Sequence, residues 1–359
     1  MKPYVLHLLQ PVSESTIGGA DMHVLDLTQS ECYRREYEPI ICLRKNISIQ
    51  ALFSSKEIYS ICGSKCNSIF SYVKWINREL SNKNISIIHA HGYQANYQML
   101  LLKTLFPSKW KEVPTIITCH GWIETTPLLK AMTKLDLFCH KYAQARIVCS
   151  KNNLARIQAY ENSFYVPNGI VPFHIQPTNR SKIVVGYVGR LSKEKRPDKV
   201  LQVAKELRQD YSDKIEFHFF GEGIMLPELK KIALSESLQN FVLFDGQKKR
   251  EDIYSNIDIL LLTSDTESTP RVVIEALYSR IPVVATNVGG VPDLVCHNKS
   301  GFLVSKEDIK GMANALRTLF ESPFLRQSFG EYGHDYVCNQ LTSEQMANKV
   351  TQIYKLILS

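Results

Sequence analysis

No stretch of this chain is apolar for long enough to cross a bilayer. The longest runs, such as "IDILLL" from Ile257 to Leu262, have strand length and fall far short of the ~18 residues that a spanning helix needs. The N-terminus "MKPYVLHLLQP" lacks a small-residue cleavage site after its short apolar stretch, so it reads as a first strand rather than a signal peptide. Cysteine is present but unpatterned. The nine cysteines include no C-x-x-C pair, and Cys62 with Cys66 has no second pair that would complete a zinc site. Reduced thiols and a cytoplasmic location are the expectation. There is no full G-x-G-x-x-G, so a nicotinamide cofactor is not indicated. No Asp-x-Asp triplet occurs, and no basic motif is interleaved with aromatics as nucleic-acid binding would require.

What remains is a composition of ordinary globular kind, 44% hydrophobic and 22% charged over 359 residues, long enough for two domains. Its charge is unevenly divided. Residues 1–180 hold 20 Lys+Arg against 12 Asp+Glu, whereas residues 181–359 hold 23 of each, so the entire net charge of +8 lies in the first half.

Short β-branched or aromatic runs alternate with amphipathic helical stretches along the whole chain. In the first half the predicted strands begin at Tyr4, Glu38, Ile85, Pro114 and Ala145; in the second they begin at Lys182, Ile215, Phe241, Asp258, Pro282 and Gly301. Near-continuous apolar strands separated by helices indicate parallel sheets covered on both faces, an α/β class. The alternation restarts after the turn-rich "PNGIVPFHIQPTNRS" (Pro167 to Ser181), the best linker candidate. Each half opens on a strand, a glycine turn and a helix: Gly18 and Gly19 in "ESTIGGADMHVLDL", then Gly186 and Gly189 in "GYVGRLSKEKRPDKVL". Such a turn at a helix N-terminus suits an anion, because unpaired N–H groups and the helix dipole face it.

The stretch "SDTESTPRVVIEAL" (Ser264 to Leu277) poses a separate question. Glu267 lies in a polar turn, while Glu275 stands inside the apolar "VVIEAL". A carboxylate there needs a partner, and the neighbouring sequence offers none that is evident.

"VGRLSKEK", "SDTESTPRVVIEAL", "PVVATNVGGVPDLV" and "GFLV" together resemble the retaining glycosyltransferases of family 4. The resemblance extends to "IIHAHG", "TCHGW", "PNGI" and the first glycine loop. It implies the GT-B fold, two Rossmann-like parallel-sheet domains facing a central cleft. Residues 1–172 would form the acceptor domain, 173–340 the donor domain, and 341–359 a last helix that returns to the first domain. The family's Glu-x7-Glu signature falls on Glu267 and Glu275. By resemblance Glu275 accepts hydrogen bonds from the donor ribose, Glu267 orients the transferred sugar, His120 touches that sugar, and Gly18 and Gly19 lie near the donor phosphates. Ser268 stands where the family usually has glycine. On chemical grounds Arg190 and Lys195 suit a leaving nucleoside diphosphate, since fixed cations stabilise the charge that develops there. The amides of Arg271 and Val272, which follow Pro270, are placed to meet a phosphate as well. With no Asp-x-Asp, neither a metal nor any other cofactor is expected. His89 and His91 have the type of metal ligands but no evident third partner, so acceptor contacts or packing fit them better.

The expected function is transfer of a hexosyl or N-acetylhexosaminyl group from a nucleotide sugar, UDP favoured over GDP, to a glycan or lipid-linked acceptor of a bacterial surface polysaccharide or lipopolysaccharide. A sugar-nucleotide epimerase of the same fold and a non-catalytic sugar or lipid binder are the alternatives. The basic first half suggests peripheral attachment to an anionic membrane face, and "SYVKWINREL" and "TLFPSKWKEV" combine cations with Trp75, Phe106 and Trp110 as an interface would.

Overall fold

The computed structural model describes residues 2–9, 18–44, 47–122, 126–176, 178 and 180–359, with Ile47 described by its backbone only. Among the described residues thirteen strands alternate with helices: β1 (Tyr4–Leu9), β2 (Glu38–Leu43), β3 (Ser60–Cys62), β4 (Ile85–His91), β5 (Thr115–Cys119), β6 (Ala145–Val148), β7 (Ser163–Tyr165), β8 (Ile183–Val188), β9 (Ile215–Phe220), β10 (Val242–Gly246), β11 (Ile259–Leu262), β12 (Val283–Thr286) and β13 (Gly301–Val304). All eleven predicted strands are present. β3 and β7 were not foreseen; each is three residues long and half-buried.

Contacts divide the chain into two units, Met1–Val171 with Ser343–Ser359, and Pro172–Thr342. The first holds a parallel sheet in the order β3-β2-β1-β4-β5-β6-β7, the second a parallel sheet in the order β10-β9-β8-β11-β12-β13. Both orders reverse once, between β1 and β4 and between β8 and β11. At such a switch point the flanking connections leave on opposite faces and open a crevice beyond the carboxyl ends of the strands.

Alternate side chains explain why the strands are buried on both faces. In β1, Leu6 and Leu8 enter a core with Ile40, Ile88, Val73 and Met99, whereas Val5 packs on the other face with Leu27, Ile87, Val350 and Tyr354. The last helix, Ser343–Leu358, belongs to this second face. Tyr354 is buried against Tyr33 and Tyr37, and the Glu344 carboxylate accepts the amides of Glu31 (2.6 Å) and Cys32 (3.1 Å), which start the helix Glu31–Glu36. In the second unit Tyr187, Phe217, Phe219, Leu201, Leu229 and Leu316 build the core between the sheet and its helices.

None of the nine cysteines forms a disulfide. Among the described residues no helix is long and apolar enough to cross a membrane. In the two segments proposed for a membrane interface the aromatic rings pack onto the domain, Trp75 and Phe106 remaining half-exposed. Trp110 is fully buried and donates to Asn77 Oδ1 at 2.8 Å, Trp75 stacks on buried Tyr72, and Phe106 packs against the core. Apolar surface available inside the domain wins these rings, as burial of an aromatic is among the larger stabilising terms.

Candidate active site

The second unit gathers its polar loops where parallel strands end together. The turn after β8 carries Arg190 and then the short 3-10 segment Lys193–Lys195. It is anchored on both sides. Tyr187 Oη donates to the carbonyl of Arg190 (2.7 Å), and the Leu191 amide donates to the carbonyl of Glu222 in the loop after β9. That neighbouring loop can approach so closely because Gly221 has no side chain; a Cβ there would lie 2.0 Å from the carbonyl oxygen of Gly189.

The loop after β11 is tied to the same turn and to the helix that follows it. Thr263 Oγ1 donates to the carbonyl of Arg196 (2.8 Å), and the Asp265 amide donates to the carbonyl of Glu194 (2.9 Å). Asp265 also receives Arg196 (3.2 Å) and the buried ammonium of Lys199 (3.1 Å), which in turn reaches Glu307 (3.1 Å). Burial alone would raise the Asp265 carboxyl, but Lys199 and Arg196 outweigh it and hold it below the ordinary value. Glu267, two residues on, is thereby delivered to Lys195. Lys195 Nζ lies 2.7 Å from Glu267 Oε1, and Ser264 Oγ donates to the same oxygen at 2.7 Å. The Glu267 side chain is only 6% exposed and that of Lys195 25%, so a nearly buried carboxylate meets a partly exposed cation. From beneath, the loop after β12 clamps the backbone: Gly289 adopts φ +54°, and a Cβ on it would stand 1.7 Å from the carbonyl oxygen of Glu267.

Among the described residues Glu275 meets Arg271 and Tyr254. Helix Arg271–Tyr278 begins after Pro270, so Arg271 and Glu275 stand one turn apart on one face, 3.6 Å between Nη2 and Oε1. Tyr254, from helix Arg250–Ser255, donates its hydroxyl to Glu275 Oε2 at 3.0 Å. Burial, and then the Glu275 carboxylate, push the Tyr254 hydroxyl well above its ordinary pKa, so it stays a donor. The expectation of no nearby partner is corrected by Arg271, four residues upstream. Val272 contributes its carbonyl to Tyr254 as well (3.3 Å). Arg190 does not join the buried pairs; its guanidinium lies 3.2 Å from Glu194 and its side chain is 58% exposed. Ser268 Oγ is buried without a hydrogen-bond partner among the described residues.

The remaining predicted residues lie in the first unit. Gly18 caps helix Gly19–Gln29, and its amide donates to Asp21 Oδ2 at 2.8 Å, so the chain supplies a carboxylate of its own to this turn. Residues 14–17 of the same predicted loop fall outside the described residues. His120 follows β5 and is half-buried within a cluster that sequence reading missed: His7, His23, His89, His91 and His120. His7 is the third histidine beside His89 and His91 that the sequence did not disclose, and the three offer ligand atoms within 4.8 Å of one another. Their nitrogens also serve a hydrogen-bond network. His7 Nδ1 meets His91 Nε2 (3.1 Å), His7 Nε2 meets Tyr33 Oη (2.7 Å), and His89 joins Tyr354 Oη and Thr118 Oγ1 (2.7 and 2.6 Å). His23 Nδ1 meets Asn168 Oδ1 of "PNGI" at 2.9 Å. Burial, with a smaller contribution from neighbouring histidines, holds His7, His89, His91 and His120 below the ordinary histidine range, so at neutral pH these four are uncharged.

Residues 173–336 match the family described as Glycosyl transferases group 1, and residues 17–172 match Glycosyltransferase Family 4. The chain belongs to the group 1 glycosyltransferases. Within that family it is 28% identical over 201 residues to the poly(ribitol-phosphate) alpha-N-acetylglucosaminyltransferase of Staphylococcus aureus (strain COL), a match that covers 54% of this chain and 40% of that one. It is 31% identical over 181 residues to the D-inositol 3-phosphate glycosyltransferase of Corynebacterium urealyticum, covering 48% of this chain and 42% of the other. The matched region therefore spans less than half the length of either relative. The solved structure of Anabaena HepE in complex with UDP superposes with a TM-score of 0.83 at 19% identity, covering 99% of this chain and all of that one. That likeness shows the fold, and the fold of this group 1 glycosyltransferase is GT-B.

Proposed function

We propose that the chain transfers a hexosyl or N-acetylhexosaminyl group from a UDP-sugar to a glycan or lipid-linked acceptor, with retention at the anomeric carbon and without a metal ion. The observation that carries this reading is the Lys195–Glu267 pair at the joined ends of β8 and β11, with Glu275 one helix away. A cation and a carboxylate held together by buried contacts form a prearranged site, so little reorganisation is needed as charge develops. In the reaction the anomeric C–O bond to the diphosphate breaks, the acceptor oxygen bonds to that carbon on the same face, and the acceptor proton passes to the departing β-phosphate oxygen. Lys195 and Arg190 stabilise the diphosphate, Glu267 and His120 hold the sugar, and Glu275 holds the ribose. Gly18, Gly19, Pro270 and the amides of Arg271 and Val272 complete the donor contacts.

Two relatives support the donor and the setting. HepE was solved with UDP, and the staphylococcal relative is an N-acetylglucosaminyltransferase; surface polysaccharide or lipopolysaccharide synthesis at the cytoplasmic membrane face fits both. Calorimetric titration with a panel of UDP- and GDP-sugars, followed by NMR of the product's anomeric proton, tests the reading. Binding of a UDP-sugar and a product of unchanged anomeric configuration are expected, with turnover unaffected by excess chelator. Preference for GDP-sugars, an inverted product, or activity restored only by magnesium would each overturn the corresponding part.

A further inference from the structure

The outward face of one helix in the first unit carries apolar surface that the candidate site does not use. Helix Pro127–Cys139 continues into the turn His140–Tyr142. Its inward side is fixed by Asp136, which accepts from Asn96 Nδ2 (2.6 Å) and Trp122 Nε1 (2.8 Å), and by the hydroxyls of Tyr97 and Tyr160 on the carbonyls of Met132 and Leu137. On the outward side Leu128 is 70% exposed, Leu135 51%, Phe138 43% and Tyr142 46%. Steps of seven, three and four residues place all four along one stripe. Single exposed apolar residues are ordinary, and the other large ones in this unit, Tyr59, Phe70 and Leu105 on separate elements and Leu356 and Leu358 at the end of the last helix, form no comparable line. Four in line are a patch, and a patch marks a contact.

The charge beside the stripe identifies the partner. Lys130, Lys134 and Lys141 are exposed, and their spacing of four and seven sets them in a row along one edge of the apolar stripe. Lys141 lies 5.7 Å from the Phe138 ring centroid. The single acid between residues 127 and 142 is Asp136, which is buried and engaged on the opposite side. An apolar stripe edged by lysines, with no exposed acid, on the half of the chain that holds all of the net charge, complements an anionic and greasy surface rather than a mixed-charge protein face.

We propose that residues 128–142 form the membrane-docking face of the first unit. The helix lies along an anionic bilayer, with Leu128, Leu135, Phe138 and Tyr142 at the level of the acyl boundary and Lys130, Lys134 and Lys141 among the head groups. This gives the membrane attachment proposed above a location, and it replaces the segments around Trp75 and Trp110, whose rings face the core. The test reads lipid binding and not transfer, so failure of either proposal leaves the other standing.

The full chain is co-sedimented with vesicles of phosphatidylcholine alone and of phosphatidylcholine with phosphatidylglycerol. Binding should need the anionic lipid and fall as salt is raised. The Leu135→Asp, Phe138→Asp double variant should bind at least about tenfold more weakly, with UDP affinity unchanged and only a small drop in melting temperature, because both side chains are about half exposed. The triple variant Lys130→Ala, Lys134→Ala, Lys141→Ala should lose about a hundredfold, given the usual worth of a lysine near an anionic surface. Sedimentation of the double variant at the wild-type level would overturn the assignment. So would a wild-type chain that ignores both vesicles and runs as a dimer dissociated by Phe138→Asp, which would give the stripe to a second copy.

Discussion

Lys195 Nζ and Glu267 Oε1 lie 2.7 Å apart although 72 residues separate them, while Arg190, in the same turn as Lys195, sits on the surface beside Glu194. The two cations assigned to the diphosphate therefore differ in what they support. Removing Lys195 leaves a nearly buried carboxylate with only the Ser264 hydroxyl, and an uncompensated charge of that kind costs roughly 1–3 kcal/mol. Removing Arg190 breaks an exposed pair worth about 0–1 kcal/mol. Both Lys195→Ala and Arg190→Ala should lower turnover on the order of a hundredfold, but only Lys195→Ala should shift the denaturant midpoint. Urea unfolding of the two variants beside wild type distinguishes them.

Gly289 fixes where Glu267 can be. A methyl group there would meet the Glu267 carbonyl oxygen at 1.7 Å, and φ +54° is itself costly for a residue with a Cβ. Gly289→Ala should destabilise the chain by roughly 2 kcal/mol or more and abolish transfer, since the loop after β11 must retreat. Gly19 opens a helix with nothing within 4 Å of a built Cβ, so Gly19→Ala should leave stability unchanged or slightly raised. Comparable losses in the two variants would remove the steric argument.

How much of this was visible in the sequence follows the range of the interactions. The sheets were legible because apolar strands and helix periodicity are local patterns, and the Glu-x7-Glu pair because it lies within one motif. β3 and β7 escaped because three half-buried residues at a sheet edge leave no periodic trace. His7 was hidden inside "YVLHLL", which reads as an apolar strand, and its partner His91 is 84 residues away. The Gly289 contact was equally out of reach. "NVGGVPDLV" announces a turn, but not that the backbone of another loop passes through the space a side chain would fill. Arg271 is the instructive miss: it was assigned to a phosphate by its amide, and the one-turn spacing that puts its side chain on Glu275 was already in the sequence.

That pair yields a third prediction. Tyr254 holds Glu275 by a charge-assisted hydrogen bond at 3.0 Å, with Arg271 at 3.6 Å. If Glu275 binds the ribose, Tyr254→Phe should leave the carboxylate present but less restrained, weakening UDP binding about three- to tenfold, as expected for a bond of about 1 kcal/mol. Glu275→Ala should weaken it more, while Glu267→Gln should leave UDP affinity nearly intact and abolish transfer. Wild-type UDP affinity in the Glu275 variant would remove the ribose assignment.

The buried histidines make stability depend on pH, with a sign that can be worked out. Burial and neighbouring His23 lower His7 from its ordinary 6.5 to about 3, and His89, His91 and His120 are also held below the ordinary range. Below pH 6.5 the unfolded chain takes up these protons and the folded chain does not. Stability is therefore complete above pH 6.5 and is lost as pH falls toward 3, by up to about 1.4 kcal/mol per pH unit for each proton. Asp21 acts in the opposite direction. Burial raises its carboxyl to about 6 against the opposing hydrogen bond from the Gly18 amide, so between pH 4 and 6 the folded chain binds the extra proton and gains stability as pH falls. The histidines outnumber it, and the net slope below pH 6 should be a loss. Asp21→Asn, which keeps an oxygen to accept from Gly18, should steepen that loss and raise stability at pH 7. His7→Gln, which keeps a neutral hydrogen-bonding group near Tyr33, should make the slope shallower by about one proton. Urea unfolding from pH 4 to 8 measures all three chains, and a wild-type slope left unchanged in His7→Gln would show that His7 is not held neutral in the fold.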